Sequence, residues 1–164
     1  MPEKDVVVHT DRKELRRPDG RTAEFASDGI ELSKDGKHLY WQALTGKTLY
    51  RIPTDALHDA KMSNEALAAK IERVGENGVS DGLWIDRAGT MYISALEEDS
   101  IKTRKGDKVE TLIRDKRLRW PDTFAESSDG MIYVTASRIQ DSAQFNPKAG
   151  PALETYLFTF KPAE

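Results

Sequence analysis

Three stretches of this chain align without gaps, and each carries an Asp eight residues before a Gly. The first runs Asp28-Gly-Ile-Glu-Leu-Ser-Lys-Asp-Gly36, the second Asp81-Gly-Leu-Trp-Ile-Asp-Arg-Ala-Gly89, and the third Asp122-Thr-Phe-Ala-Glu-Ser-Ser-Asp-Gly130. A Tyr follows each Gly by three or four residues: Tyr40, Tyr92 and Tyr133. The starts are 53 and 41 residues apart. Self-similarity at such a period constrains the fold more than any composition does, because each copy must be one small supersecondary unit stacked on its neighbour.

Each unit reads as a β-hairpin. Ile30 and Leu32, Leu83 and Ile85, and Phe124 fall at alternating or nearly alternating positions, as on a sheet strand. Asp35-Gly36 and Asp129-Gly130 are tight-turn signals, since Gly enters positive φ without steric cost, and Arg87-Ala88-Gly89 is a looser version. The returning strands, Leu39 to Trp41, Met91 to Ser94 and Ile132 to Thr135, are rich in aromatic and β-branched residues. Further strands are expected at Thr48 to Ile52, at Ser100 to Thr103 with Val109 to Ile113, and at Thr155 to Phe160. The spacing suits the blades of a propeller. One stretch breaks the pattern: Ser63 to Arg73 has good helix formers behind a capping Ser and predicts a short decorating helix. Gln140 to Pro151, with Asn146-Pro147 and Gly150-Pro151, predicts a long loop. No linker divides the chain, so one domain is expected over 1–164, with repeats at about 23–57, 79–115 and 120–162.

Composition removes several functions. With no cysteine there is no disulfide, thiolate metal site or cysteine nucleophile. A formal net charge of −3 argues against nucleic acid as a partner, and the basic run Arg114 to Arg119 reads as a solvated loop. No apolar run is long enough to span a membrane. The start Met-Pro-Glu-Lys-Asp lacks a signal-peptide pattern, so a cytoplasmic location is expected. No nucleophile elbow, P-loop or dinucleotide fingerprint is present. The histidines, His9, His38 and His58, are not paired at metal-ligand spacing.

The stretches Ser27 to Trp41, Ser80 to Asp86 and Trp120-Pro-Asp-Thr-Phe124, with Tyr50-Arg-Ile-Pro53 and Leu96 to Ile101, resemble the yellow/major royal jelly family. More distantly they resemble the senescence-marker/gluconolactonase superfamily of calcium-dependent lactonases. The likeness runs from about Val6 to Pro162 and is to the C-terminal half of family members. It implies an all-β fold, three blades or half of a six-bladed β-propeller, with a metal in the central channel. Half a ring leaves two sheet faces open, and a homodimer that completes the ring would cover both.

The resemblance also implies a site. Asp28, Asp81 and Asp122 occupy the strand start that lies at the channel mouth in these propellers. In the gluconolactonase relatives this position in successive blades supplies an Asn and an Asp to the metal; Asp28 matches the Asn, and Asp81 the Asp. The third ligand of the family is a Glu in its first blade and has no counterpart in these repeats, so Asp122 or a second copy would replace it. Converging carboxylates repel unless a cation lies between them, and hard oxygen donors suit Ca²⁺. The alternative is that each Asp caps a turn. Asp81 is the expected general base of a Ca²⁺-dependent hydrolase of lactones or related esters, with sugar lactones and N-acyl homoserine lactones as candidate substrates. Trp120, Glu97 and Glu98 are candidate substrate-binding residues at the mouth. The other readings are a non-catalytic small-ligand-binding module and a dopachrome tautomerase-like isomerase.

Overall fold

A computed structural model describes residues 1–150 and 153–163 of the chain. A short hairpin, β1 (His9–Thr10) with β2 (Lys13–Glu14), precedes three antiparallel sheets in series. The first sheet is β3 (Ser27–Leu32), β4 (His38–Ala43), β5 (Thr48–Pro53) and β6 (Glu72–Glu76). The second is β7 (Leu83–Ile85), β8 (Met91–Ala95), β9 (Ser100–Lys105) and β10 (Lys108–Arg114). The third has three strands, β11 (Pro121–Glu126), β12 (Ile132–Ala136) and β13 (Tyr156–Phe160). Each sheet meanders outward from an inner strand, and the inner strands β3, β7 and β11 are neighbours. These are three blades of a β-propeller. Among the described residues no helix is long and apolar enough to cross a membrane.

The repeated Gly closes the same turn in each blade. Gly36, Gly89 and Gly130 have φ of 70°, 85° and 82°, and each donates its N–H to the carbonyl three residues back, at 2.8, 3.0 and 3.0 Å. A residue with a Cβ would be strained there. Asp35 and Asp129 pin their turns by accepting from the hydroxyls of Ser33 and Ser127. Asp86 is different: it is buried, and it accepts from Thr90 N (2.9 Å) and from the Tyr92 hydroxyl (3.0 Å).

The helix expected over Ser63 to Arg73 is shorter than its composition suggests. Ser63 does cap it, accepting from Ala66 N at 3.2 Å, but α2 covers only Asn64–Ala68. Glu72 and Arg73 instead pair with Arg51 and Tyr50 as the start of β6. A fourth ladder of sheet hydrogen bonds, with Val74 packed into the core, outweighs helix propensity there. A second helix, α1 (Thr54–His58), lies just ahead of it. The loop from Gln140 is described as far as Gly150; Pro151 lies outside the described residues.

Apolar side chains fill the two joints between blades. Leu49 and Tyr40 of the first blade meet Leu83, Ile85, Met91 and Ile93 of the second. Tyr92, Ile101 and Trp84 of the second meet Phe124, Ile132, Val134 and Phe158 of the third. A buried polar network reinforces the first joint. Arg104 donates to Asn77 Oδ1 (2.8 Å), to the Glu76 carbonyl (2.6 Å) and to the Gly106 carbonyl (3.0 Å). Asn77 in turn donates to Gln42 Oε1 (3.0 Å). Every guanidinium nitrogen is matched, as a buried cation requires. A third cluster sits at one end of the blades, where Val8 and Leu15 of the N-terminal segment cover Leu44, Val79, Leu96 and Trp120.

The two outer faces differ. On the first blade, Ile30 and Leu32 are 60 % and 49 % exposed, beside a stacked Trp41–Tyr50 pair. By strand register these match Leu83 and Ile85, which are buried in the second blade. On the third blade the outer face carries Thr123, Ala125, Tyr133, Thr135, Leu157 and Thr159, a set rich in hydroxyls.

Candidate functional site

Each inner strand is irregular where its first Asp stands. The β3–β4 register shifts between Ser27 and Ile30, and the β11–β12 register between Pro121 and Phe124. In the second blade the regular ladder begins only at Leu83, after Asp81-Gly82. There Gly82 N donates to Ser94 Oγ at 2.7 Å; in the third blade Thr123 N donates to Thr135 Oγ1 at 3.1 Å. Such irregularities bend a strand and re-aim a side chain, and they gather at functional sites.

The residue after the Asp sets how closely the inner strands approach. A Cβ on Gly29 would lie 2.6 Å from the Asp81 carbonyl oxygen, and one on Gly82 would lie 1.9 Å from that of Asp122. Both glycines are therefore demanded by the neighbouring blade rather than by their own φ. The third repeat has Thr123 at this place.

The close approach brings the three carboxylates into electrical contact. Asp81 is 7 % exposed and its pKa is pushed up to about 7, first by burial and then by the charge of Asp122, with Asp28 adding to the rise. A hydrogen bond from the Trp120 indole, Nε1 to Asp81 Oδ2 at 2.6 Å, opposes the rise. Asp122, half-buried, is also raised by burial and by Asp28. Asp28 is exposed. The structure thus couples the three expected carboxylates electrostatically, with Asp81 at the centre of the coupling.

The expected substrate-binding residues are placed elsewhere. Trp120 is 1 % exposed, so it faces the interior and holds Asp81 instead of presenting a surface to a ligand. It adopts φ 52°, a region unfavourable for a bulky side chain. Its ring stacks on Phe145 and meets Phe25 edge-on. Glu97 and Glu98 lie on a 3₁₀ turn after β8 and are engaged in the protein: Glu97 accepts from His9 N (2.7 Å), and Glu98 pairs with Lys102 and with Arg114 (2.6 Å). The basic run is neutralised locally, Arg114 by Glu98, Arg117 by Asp115, and Arg119 by both Asp11 and Asp141. Arg119 holds both of these aspartates below the usual carboxylate range through its hydrogen bonds.

Among the described residues no three His, Cys, Asp or Glu side chains are gathered closely enough to hold a metal ion. The donor chemistry nevertheless fits a hard cation. Asp28, Asp81 and Asp122 offer oxygen only, and the pKa of Asp81 is raised first by burial and then by the charges of Asp122 and Asp28, a repulsion that a cation would relieve.

Sequence and structure comparisons agree with this fold. The family model described as major royal jelly protein matches residues 5–149. No curated protein sequence matches the chain. Among solved structures, a gluconolactonase from Xanthomonas campestris superposes with a TM-score of 0.60 at 13 % identity, over 95 % of this chain and 52 % of that one. A calcium-binding regucalcin from Agrobacterium tumefaciens superposes with a TM-score of 0.53 at 17 % identity, over 80 % and 47 %. A virginiamycin B lyase from Staphylococcus aureus gives 0.51 at 14 % identity, over 70 % and 38 %. At these identities the likeness carries the fold, and the chain spans about half the length of these neighbours or less. With three propeller blades and a family match over most of its length, the chain belongs to the major royal jelly protein family.

Proposed function

We propose that this chain carries the calcium-binding mouth of a propeller that hydrolyses lactones or related esters. The observation that supports this most is the state of Asp81. A carboxyl that is buried, paired with two other carboxylates and pushed up to about 7 is costly in a structural position and useful in a reactive one. Asp28 and Asp81, with Asp122, would supply the oxygen donors. A bound divalent cation there supplies Lewis acidity for polarising a carbonyl oxygen. The chain's own part is to hold the base: Trp120 fixes Asp81 Oδ2, and the Asp81 carboxylate would take the proton from water. The gluconolactonase neighbour favours a sugar lactone, with N-acyl homoserine lactones as the other substrate class, and the regucalcin neighbour favours calcium.

Turnover of a simple δ-lactone with excess Ca²⁺, repeated with a chelator, tests this reading. Calcium-dependent hydrolysis that the chelator abolishes is expected. Calcium binding without turnover would make the mouth a ligand-binding module instead, and hydrolysis indifferent to chelator would remove the metal from the account.

A homodimer completing the ring belongs to the same proposal. A second copy would bring its own Asp28 strand to Thr123. A Cβ there needs about 3.4 Å or more from the facing carbonyl, so that joint would stand wider than the two within the chain.

A further inference from the structure

We propose that Trp120 is a positioning residue for Asp81, acting through its indole N–H. The inference deepens the proposed function and rests on it for its metal-binding consequence, though not for the contact itself. The Nε1–Oδ2 bond is 2.6 Å long and joins residues 39 apart in sequence, at the entry to the third and second inner strands. It is a charge-assisted bond between buried groups, the kind that fixes a carboxylate's rotamer.

The surroundings of Trp120 show that its placement is imposed from several directions. Its carbonyl accepts from Ser137 N at 3.0 Å and from Ser137 Oγ at 3.3 Å, which holds the backbone at φ 52°. Phe25, from the segment leading into β3, meets the ring at 6.3 Å and 78°. Phe145, from the loop after β12, stacks on it at 6.4 Å and 24°. Arg119, the residue before it, is clamped between Asp11 and Asp141. So three separated segments fix one indole, and that indole fixes Asp81. Filling the space would need only a ring of similar size. The N–H is what an apolar ring lacks, and it ends on Asp81, the most buried of the three inner-strand carboxyls.

This bond commits Oδ2 to the indole and so fixes the orientation of the whole carboxylate. Hydrogen-bonded partners of this kind behind a ligating side chain typically change metal affinity by about 10- to 100-fold when removed.

Trp120→Phe tests the assignment, because it keeps an aromatic ring against Phe25 and Phe145 and removes the N–H. The first readout is the indole N–H resonance of Trp120, assigned by its loss in Trp120→Phe. It should move in Asp81→Asn, while the resonances of Trp41 and Trp84 stay in place. A Trp120 resonance unmoved by Asp81→Asn would overturn the contact and the proposal with it. The second readout is Ca²⁺ affinity by calorimetry, which should fall about tenfold or more in Trp120→Phe with the melting profile still cooperative. Unchanged affinity would overturn the positioning role. If the wild-type chain binds no Ca²⁺, the proposed function fails, and the resonance experiment still decides whether Trp120 holds Asp81. If Trp120→Phe does not fold, Phe145→Ala replaces it: loosening the ring should shift the same indole resonance and weaken Ca²⁺ binding, and a failure to do either would contradict the proposal.

Discussion

Gly82→Ala should be the most damaging single-methyl change in the chain. The new Cβ would stand 1.9 Å from the Asp122 carbonyl oxygen and 2.8 Å from its carbon, both in the backbone of the next inner strand. Neither atom can move without shifting β11, so the second and third blades must separate by more than an ångström. Overpacking against fixed backbone costs about 3 kcal/mol or more, and the separation also loosens the contacts of Tyr92 with Phe124. For a domain of this size that is a fall in melting temperature of roughly 6–12 °C. Thermal unfolding followed by circular dichroism measures it. Gly130→Ala is the control: its φ is 82° but a Cβ there meets nothing within 4 Å, so only backbone strain of about 1–2 kcal/mol is expected. Equal losses in the two variants would show that the inner strands are not in contact through Gly82.

Asp81→Asn should have opposite effects on function and on stability. The folded pKa of Asp81 lies at about 7, above the 3.8 of an unperturbed Asp, so the folded state binds the proton more tightly than the unfolded chain. Stability therefore falls as pH rises from about 4 to 7 and stays low above that. Removing the charge should stabilise the metal-free protein at pH 8 by about 2–4 kcal/mol and flatten its pH dependence, while at pH 4 the two proteins should be alike. The Asn oxygen can still accept from Trp120, so the fold is retained. If Asp81 is the base proposed above, lactone turnover should drop by about 100-fold or more, because the group that would take the water proton is gone. Denaturant melts at pH 4, 6 and 8 give the stability arm. A variant that is less stable than wild type at pH 8 would mean that Asp81 is a structural anchor.

The part of this fold legible in the sequence is the part fixed by single-residue backbone constraints. The turn glycines Gly36, Gly89 and Gly130 all need positive φ, and the Asp eight residues earlier sits at an inner-strand irregularity, so both ends of the motif survive as letters. The strand β6 was not legible, because Glu72 and Arg73 continue a run of helix formers and only pairing with Tyr50 and Arg51 makes them a strand. The hairpin β1–β2 carries no alternation, and the segment covers the core through the flanking Val6, Val8 and Leu15. At the site, the three carboxylates could be found because they recur in register. The role of Trp120 could not: its partner is in the neighbouring blade, and Trp-Pro-Asp reads equally well as a residue at the mouth. Glu97 and Glu98 look like a free acidic patch until His9, Lys102 and Arg114 are placed beside them. The change from Gly29 and Gly82 to Thr123 is a further signal carried by the sequence, and it marks where the close joint between inner strands ends.

Calcium binding at the meeting point of Asp28, Asp81 and Asp122 is the claim on which the functional account stands. Calorimetric titration of CaCl₂ into metal-free protein at pH 7.5, run beside Asp81→Asn, addresses it directly. The account predicts one saturable site in the wild-type chain and its loss or a weakening of about 10-fold or more in the variant. No heat of binding up to millimolar Ca²⁺, or equal binding by the two proteins, would contradict it.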